Sequence, residues 1–212
     1  MQLIHGLLSN NSAKVRMVLA EKGLAYESID IPWTKAHAWE PKPDILLNTN
    51  PRAEVPALID GKLTLWDSTV INEYLEDKYP EVALFPATSE ERAICRLWED
   101  EGDHKQSHVG VLIQEVFLAE PSTEPSPATK TALTELANFV DRLDHQIGER
   151  EYICGQFSIA DISVFLTLAF ATTLGLEITK PNVVTWYEGV LSRPAIKQEF
   201  DQIMIGVAGL AA

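Results

Sequence analysis

Three short stretches carry the residue types that handle a charged or ionisable ligand. Ser9-Asn10-Asn11-Ser12 stands between a short apolar run and a helical pattern. One of these four side chains must cap the helix. The others leave hydroxyls and amides at the positive helix end, where an anion is stabilised. A thiolate is one such anion, and a thiol pKa falls in that setting. Val55-Pro56 directly precedes the apolar run Ala57–Ile59. Proline lacks a backbone donor and is out of place inside a sheet. It reads either as a trans proline opening a strand or as a cis bond in a tight turn. The cis form would turn the Val55 N–H and C=O outward, toward an extended peptide. Asp67-Ser68 begins another helical pattern. It is an N-cap by residue type, and the same helix end can receive a ligand carboxylate on free N–H groups and the Ser68 hydroxyl.

Other candidates are weaker. His104 and His108 are four residues apart, with Asp100 four before His104. Asp100 to His108 covers about 12 Å along a helix axis, too far for three ligands on one ion. Two histidines without a placed third ligand make no metal centre, so no metal is expected. Trp33 and Trp39 lie in a proline-rich connection, where they either wall an apolar site or pack beneath the loop. The two cysteines, Cys95 and Cys154, form no CxxC pair. That argues against a disulfide scaffold, a structural zinc site or a dithiol redox motif, and suits a reducing cytoplasm.

Positioning these groups requires two kinds of texture. Leu3–Leu8 reads as a strand, Lys14–Lys22 as a helix closed by Gly23, and Tyr26–Ile31 as a strand by its alternation. Pro32–Pro43 reads as loop. Two apolar runs then flank Asp60-Gly61, a hairpin signal. A helix follows from Asp67-Ser68 to near Tyr79-Pro80. Beyond residue 80 the chain reads as successive helices: Ser89–Leu118, Ala128–Ile147, Ser158–Leu174, Pro181–Leu191 and Pro194–Ile205. Glu120–Pro127 breaks the first from the second. Ser158–Leu174 is apolar nearly all round and predicts a buried central helix.

Composition sets outer bounds. The 212 residues hold 17 basic and 31 acidic side chains, a net charge of -14. A duplex-binding protein relies on Lys and Arg against phosphate, so nucleic acid and anionic lipid are poor partners. The charge is uneven: residues 1–80 carry 11 acids and 8 bases, whereas residues 81–212 carry 20 and 9. No signal peptide is expected from the N-terminus. No apolar run approaches the roughly 20 residues a spanning helix needs.

Taken in order, strand–SNNS–helix, NPRAEVPALIDG (Asn50–Gly61) and DSTVINEYLEDKYP (Asp67–Pro80) resemble the glutathione transferase family. FSIADIS (Phe157–Ser163) resembles that family's N-capping box, an S-x-x-D arrangement, and SRPAIK (Ser192–Lys197) its C-terminal pattern. The resemblance implies an α/β thioredoxin-like domain over residues 1–80, followed by an all-α domain over residues 88–212. It implies glutathione as cosubstrate, a small apolar electrophile, a cytoplasmic homodimer, and neither nucleic acid nor membrane as partner. Val55 would pair its main chain with the cysteinyl part of glutathione, Pro56 would be cis, and Asp67 and Ser68 would hold the γ-glutamyl end. The catalytic group would lie among Ser9, Asn11 and Ser12. Serine-type classes match Ser9, the nu-type pattern matches Ser9 and Asn11, and the lignin β-etherase pattern matches Asn11 and Ser12. No Tyr or Cys stands there, and His5-Gly6-Leu7 occupies the place of the tyrosine. His104, His108 and Trp39 would line the electrophile pocket. A glutathione-dependent etherase or disulfide reductase, or a non-enzymatic glutathione-binding module, are the alternative functions. Two departures stand out. Ala53 replaces the usual glycine of N-P-x-G, and Glu54 replaces Gln or Lys, where it would repel ligand carboxylates; Glu54 is therefore left out of the expected site. Lys42 has no assigned counterpart.

Overall fold

The computed structural model describes residues 1–34, 37, 39–118 and 124–209. Its chain divides into two compact units, Met1–Ala83 with Arg193–Ala212, and Leu84–Ser192.

The first unit is built on a four-stranded sheet ordered β2-β1-β3-β4, with β1 Gln2–His5, β2 Glu27–Asp30, β3 Ala57–Asp60 and β4 Leu63–Trp66. β1 pairs parallel with β2 and antiparallel with β3. The parallel pair needs a crossover, and α1, Asn10–Glu21, supplies it. The expected hairpin is present: Asp60 pairs with Leu63, and Gly61 turns the chain at φ +61°. Side chains alternate across the sheet. Ile4 and its partner Ala57 belong to a core with Ile31 and Leu46, joined by Trp39, Val55 and Trp66. Leu3 and Leu58 take the opposite face.

Sequence and structure differ at several elements here. α1 begins at Asn10, a turn earlier than Lys14, because Ser9 caps it and the polar Asn-Asn-Ser forms its first turn. β1 ends at His5, before Leu8, where the chain turns through Gly6. A short helix, α2 Asp44–Thr49, occupies a stretch expected to be irregular. Six residues are too few to show helical periodicity. The last helix, α8 Pro194–Gly209, continues the helical half in sequence but packs on α1. Arg16 of α1 is buried and donates to Glu199 of α8 at 2.8 Å. Arg193 and Glu21 form a second link at 2.6 Å. At the other end of α1, buried Lys22 bonds Glu76 of α3, Ser68–Lys78, at 2.6 Å, and also the carbonyls of Tyr79 and Val82.

The second unit contains α4 Ser89–Ile113, a π-helical turn Gln114–Leu118, α5 Pro127–Ile147, α6 Ile159–Thr173 and α7 Pro181–Leu191. α6 is buried from Ile159 to Ala171, as its all-round apolar sequence predicts. Its N-terminus carries the expected capping box. The Asp161 carboxylate accepts from the Ser158 N–H and hydroxyl, the Ile153 N–H and the Trp186 indole, all at 2.8–2.9 Å. α4 and α6 approach closely at Gly102, where a Cβ would fall 2.7 Å from Ser163 Oγ. Thr167 donates to the Gly102 carbonyl. Among the described residues, no helix is long and apolar enough to cross a membrane.

Candidate active site

The Ser9–Ser12 stretch singled out in the sequence lies at the N-terminus of α1. Ser9 sits at its N-cap in extended conformation, and its Oγ accepts from the Ser12 N–H at 3.3 Å. That bond uses an oxygen lone pair. Among the described residues, no acceptor takes the Ser9 hydroxyl proton. The first N–H groups of a helix have no intrahelical partner, and no acidic side chain stands in the first turn of α1. Asn11 is exposed on that turn. Ser12 is turned the other way: it is fully buried, and its Oγ accepts from the Gly6 N–H at 3.2 Å.

The turn that leads into α1 is held from beneath. Arg16 donates to the carbonyls of Gly6 and Leu7. His5 is buried, with Nε2 2.7 Å from Ser28 Oγ and Nδ1 3.3 Å from Arg16 Nη1. Burial, and then the Arg16 charge, lower the His5 pKa to about 4 against the opposing pull of Asp30. A neutral imidazole therefore stands where the family resemblance would have placed a tyrosine.

The Val55-Pro56 bond is cis, as the resemblance implied. Pro56 is buried and Val55 half-buried. Asn50 organises the preceding turn: its amide donates to the Glu54 carbonyl at 2.6 Å and its side-chain oxygen accepts from the Arg52 N–H at 2.9 Å. Its main-chain carbonyl accepts from the Ala53 N–H. These bonds hold Ala53 at φ +53°, a left-handed conformation that favours glycine and costs an alanine about 1 kcal/mol. At the start of α3, Asp67 accepts from the N–H groups of Thr69 and Val70, with φ +75°. Asp67 Oδ2 also lies 3.9 Å from Arg52 Nη1, and Ser68 is buried beside it.

A cleft of about 360 Å³ opens over these elements, lined by Ser9, Asn11, Ile31, Trp39, Lys42, Leu46, Ala53, Glu54 and Val55. It brings together Ser9, Asn11, Val55 and Trp39. Ser12, Pro56, Asp67 and Ser68 stand outside its lining, although Pro56 adjoins Val55. Trp39 lies over Gly6 so closely that a Cβ there would meet its ring at 2.2 Å. Lys42 brings an ammonium to the cleft, 3.7 Å from Glu40. Glu54, which sequence reasoning set aside, also lines it. Lys42 carries no motif of its own, whereas Glu54 stands within the Asn50–Gly61 motif, directly before Val55. Ile31 and Leu46 give no signal beyond being apolar.

His104 and His108 lie on α4 of the second unit, outside this cleft. His104 is exposed; burial, then Lys105, lowers the pKa of half-buried His108. Asp103 accepts from Gln106, with Ser163 Oγ 3.1 Å away. Among the described residues, no three His, Cys, Asp or Glu side chains gather as metal ligands.

The chain matches two family models: glutathione S-transferase, N-terminal domain, over residues 3–83, and glutathione S-transferase, C-terminal domain, over residues 110–194. It is 30% identical over 203 residues to glutathione S-transferase 3 of Zea mays, covering 90% of this chain and 89% of that protein. It is 33% identical over 189 residues to a stringent starvation protein A homolog of Coxiella burnetii, covering 89% and 84%. Among solved structures, the theta class glutathione S-transferase of Xanthomonas axonopodis pv. citri with glutathione bound superposes with a TM-score of 0.80. The identity is 26%, over 93% of this chain and 95% of that one.

Proposed function

This chain belongs to the glutathione S-transferase family, and we propose that it is a glutathione transferase whose cleft at the α1 N-terminus activates the glutathione thiol for attack on a small apolar electrophile. The observation that carries this reading is the Ser9 hydroxyl. It lines the cleft, uses a lone pair on the helix cap, and among the described residues gives its proton to no acceptor. In this reading Ser9 donates that proton in a hydrogen bond to the sulfur and remains a donor throughout, never a nucleophile. Asn11 is the second donor, and the uncompensated helix end adds to the field. Val55 lines the cleft and offers its main chain to the cysteinyl unit. Asp67 and Ser68 take the γ-glutamyl end at the start of α3. Lys42 provides a cation for a ligand carboxylate, offsetting Glu54. Trp39, Ile31 and Leu46 form the apolar wall against which an electrophile packs. The homodimer that the resemblance implies is part of the proposal.

The magnitudes are adequate. A free thiol has a pKa of about 8.5, and lowering it by about two units requires roughly 2.7 kcal/mol. Hydrogen bonds to a charged group contribute about 1.5–3 kcal/mol each, so two donors suffice. The inward turn of Ser12 weighs against the etherase-type register, which needs Ser12 at the sulfur.

Ser9→Ala is expected to lower turnover on a chlorinated aromatic by roughly 10–1000-fold, the scale of losing one charge-stabilising donor. The KM for glutathione should change little. A silent Ser9→Ala beside a crippled Asn11→Ala would overturn the assignment of Ser9. A relative at 33% identity that is not named a transferase, the starvation protein homolog, keeps a second reading open: a non-enzymatic glutathione-binding or regulatory module on the same fold. Glutathione binding without turnover on chlorinated aromatic, aryl-ether or disulfide substrates would establish it.

A further inference from the structure

Gly6, Leu7 and Leu8 carry the chain from β1 to the Ser9 cap. The polar main-chain groups of the first two are all engaged. The Gly6 N–H donates to Ser12 Oγ at 3.2 Å, and the Leu7 N–H to Asp30 Oδ1 at 3.0 Å. The Gly6 carbonyl accepts twice, from the Ser9 N–H at 3.1 Å and from Arg16 Nη1 at 3.1 Å. The Leu7 carbonyl accepts from Arg16 Nη2 at 3.0 Å. One acceptor thus joins the Arg16 guanidinium to the main chain of Ser9.

The remaining edge of the guanidinium goes to α8, where Nε donates to Glu199 Oε2 at 2.8 Å. Arg16 is buried, and a buried ion pair is a poor route to stability, because desolvation offsets the attraction. What arginine supplies that an apolar side chain would not is a rigid fork of donors. Here the fork is aimed at two carbonyls of one turn. α8 meets that turn a second time. Gly206 stands about two helical turns after Glu199, and so on the same face. A Cβ there would fall 2.9 Å from Leu7 Cδ2 and 3.0 Å from Leu8 Cδ2.

Resting on the reading of Ser9 as the donor to sulfur, we propose that Arg16 and Glu199 are positioning residues for that chemistry. Glu199 of α8 orients the guanidinium, the guanidinium fixes the turn from Gly6 to Ser9, and the turn sets where the Ser9 hydroxyl points. Neither side chain lines the cleft, so both act through Ser9.

The test follows the thiol of bound glutathione by its ultraviolet absorbance through neutral pH, beside kcat and KM on a chlorinated aromatic, in the folded full-length protein. Arg16→Lys keeps a cation opposite Glu199 but loses the fork. It should raise the thiol midpoint by about one pH unit, a roughly tenfold loss of thiolate preference. It should lower kcat by roughly 10–100-fold, the scale of a small misplacement, with KM for glutathione changed by less than about twofold. Glu199→Ala, at a partly exposed position, should fold and move both readouts the same way. Glu199→Gln, still an acceptor for Nε, should recover most of that loss. Ser9→Ala combined with Arg16→Lys should do no more harm than Ser9→Ala alone, because the two act as one unit. A wild-type midpoint and kcat in folded Arg16→Lys or Glu199→Ala, or a double variant whose losses multiply, would overturn the positioning role and leave Ser9 as the donor. A Ser9→Ala midpoint equal to that of the wild type would instead overturn the Ser9 reading, and the positioning role with it.

Discussion

Ser9 and Ser158 each open a helix, and the two caps have opposite fates. In the second unit, Ser158 opens α6 with Asp161 fully buried behind it, and four donors converge on that carboxylate. Each of those donors is satisfied within the unit. In the first unit, Ser9 opens α1 with no acid in the first turn, the Ser9 proton uncommitted among the described residues, and a cleft in front. The same local device closes a core in one place and leaves a binding capacity in the other. The difference lies in the residue three positions after the cap. Asp161 fills the role of internal anion, whereas Ser12 turns inward to Gly6 and leaves the helix end without one.

The comparison breaks first at Asp161. Asp161→Ala strands the Trp186 indole and the N–H groups of Ile153 and Ser158 in the core. At about 1–3 kcal/mol per unsatisfied buried group, it should cost about 3–5 kcal/mol, read from urea unfolding, with Asp161→Asn losing less. An unchanged midpoint would show that the α6 cap is not a structural anchor.

The support beneath the α1 cap has its own signature in acid. The His5 pKa is lowered in the folded state to about 4 from an ordinary 6.5. Its contribution is therefore present above pH 6.5 and is lost as pH falls from there toward 4. The loss amounts to at most about 3 kcal/mol. His5→Gln should be less stable near neutrality, and its stability should fall less steeply across that window. Parallel pH profiles for the two proteins would show that His5 is not held neutral by its surroundings.

Much of the frame was legible in the sequence because its signals are local. The Ser158–Asp161 box, the Asp60-Gly61 turn and the apolar α6 each announce themselves within a few residues, and the structure has all three. The same holds for the cis bond at Val55-Pro56, once the surrounding motif is recognised. What escaped depends on long-range contact. α2 is too short to show a period, and α8 joins the first unit through Arg16–Glu199, a pair 183 residues apart. Trp39 reaches the cleft only because Gly6 has no side chain. Lys42 enters it from a connection without periodicity. Ser12 was indistinguishable from Ser9 by residue type, and the direction of its side chain separates them.

The central claim is that Ser9 and the open end of α1 stabilise a thiolate. The most direct measurement is the ultraviolet absorbance of glutathione bound to the protein, titrated through neutral pH in the wild type and in Ser9→Ala. The account predicts that the bound thiol ionises about two pH units below its free value of about 8.5, and that Ser9→Ala moves that midpoint back up while glutathione stays bound. A wild-type midpoint equal to that of free glutathione, or the same lowered midpoint in Ser9→Ala, would contradict it.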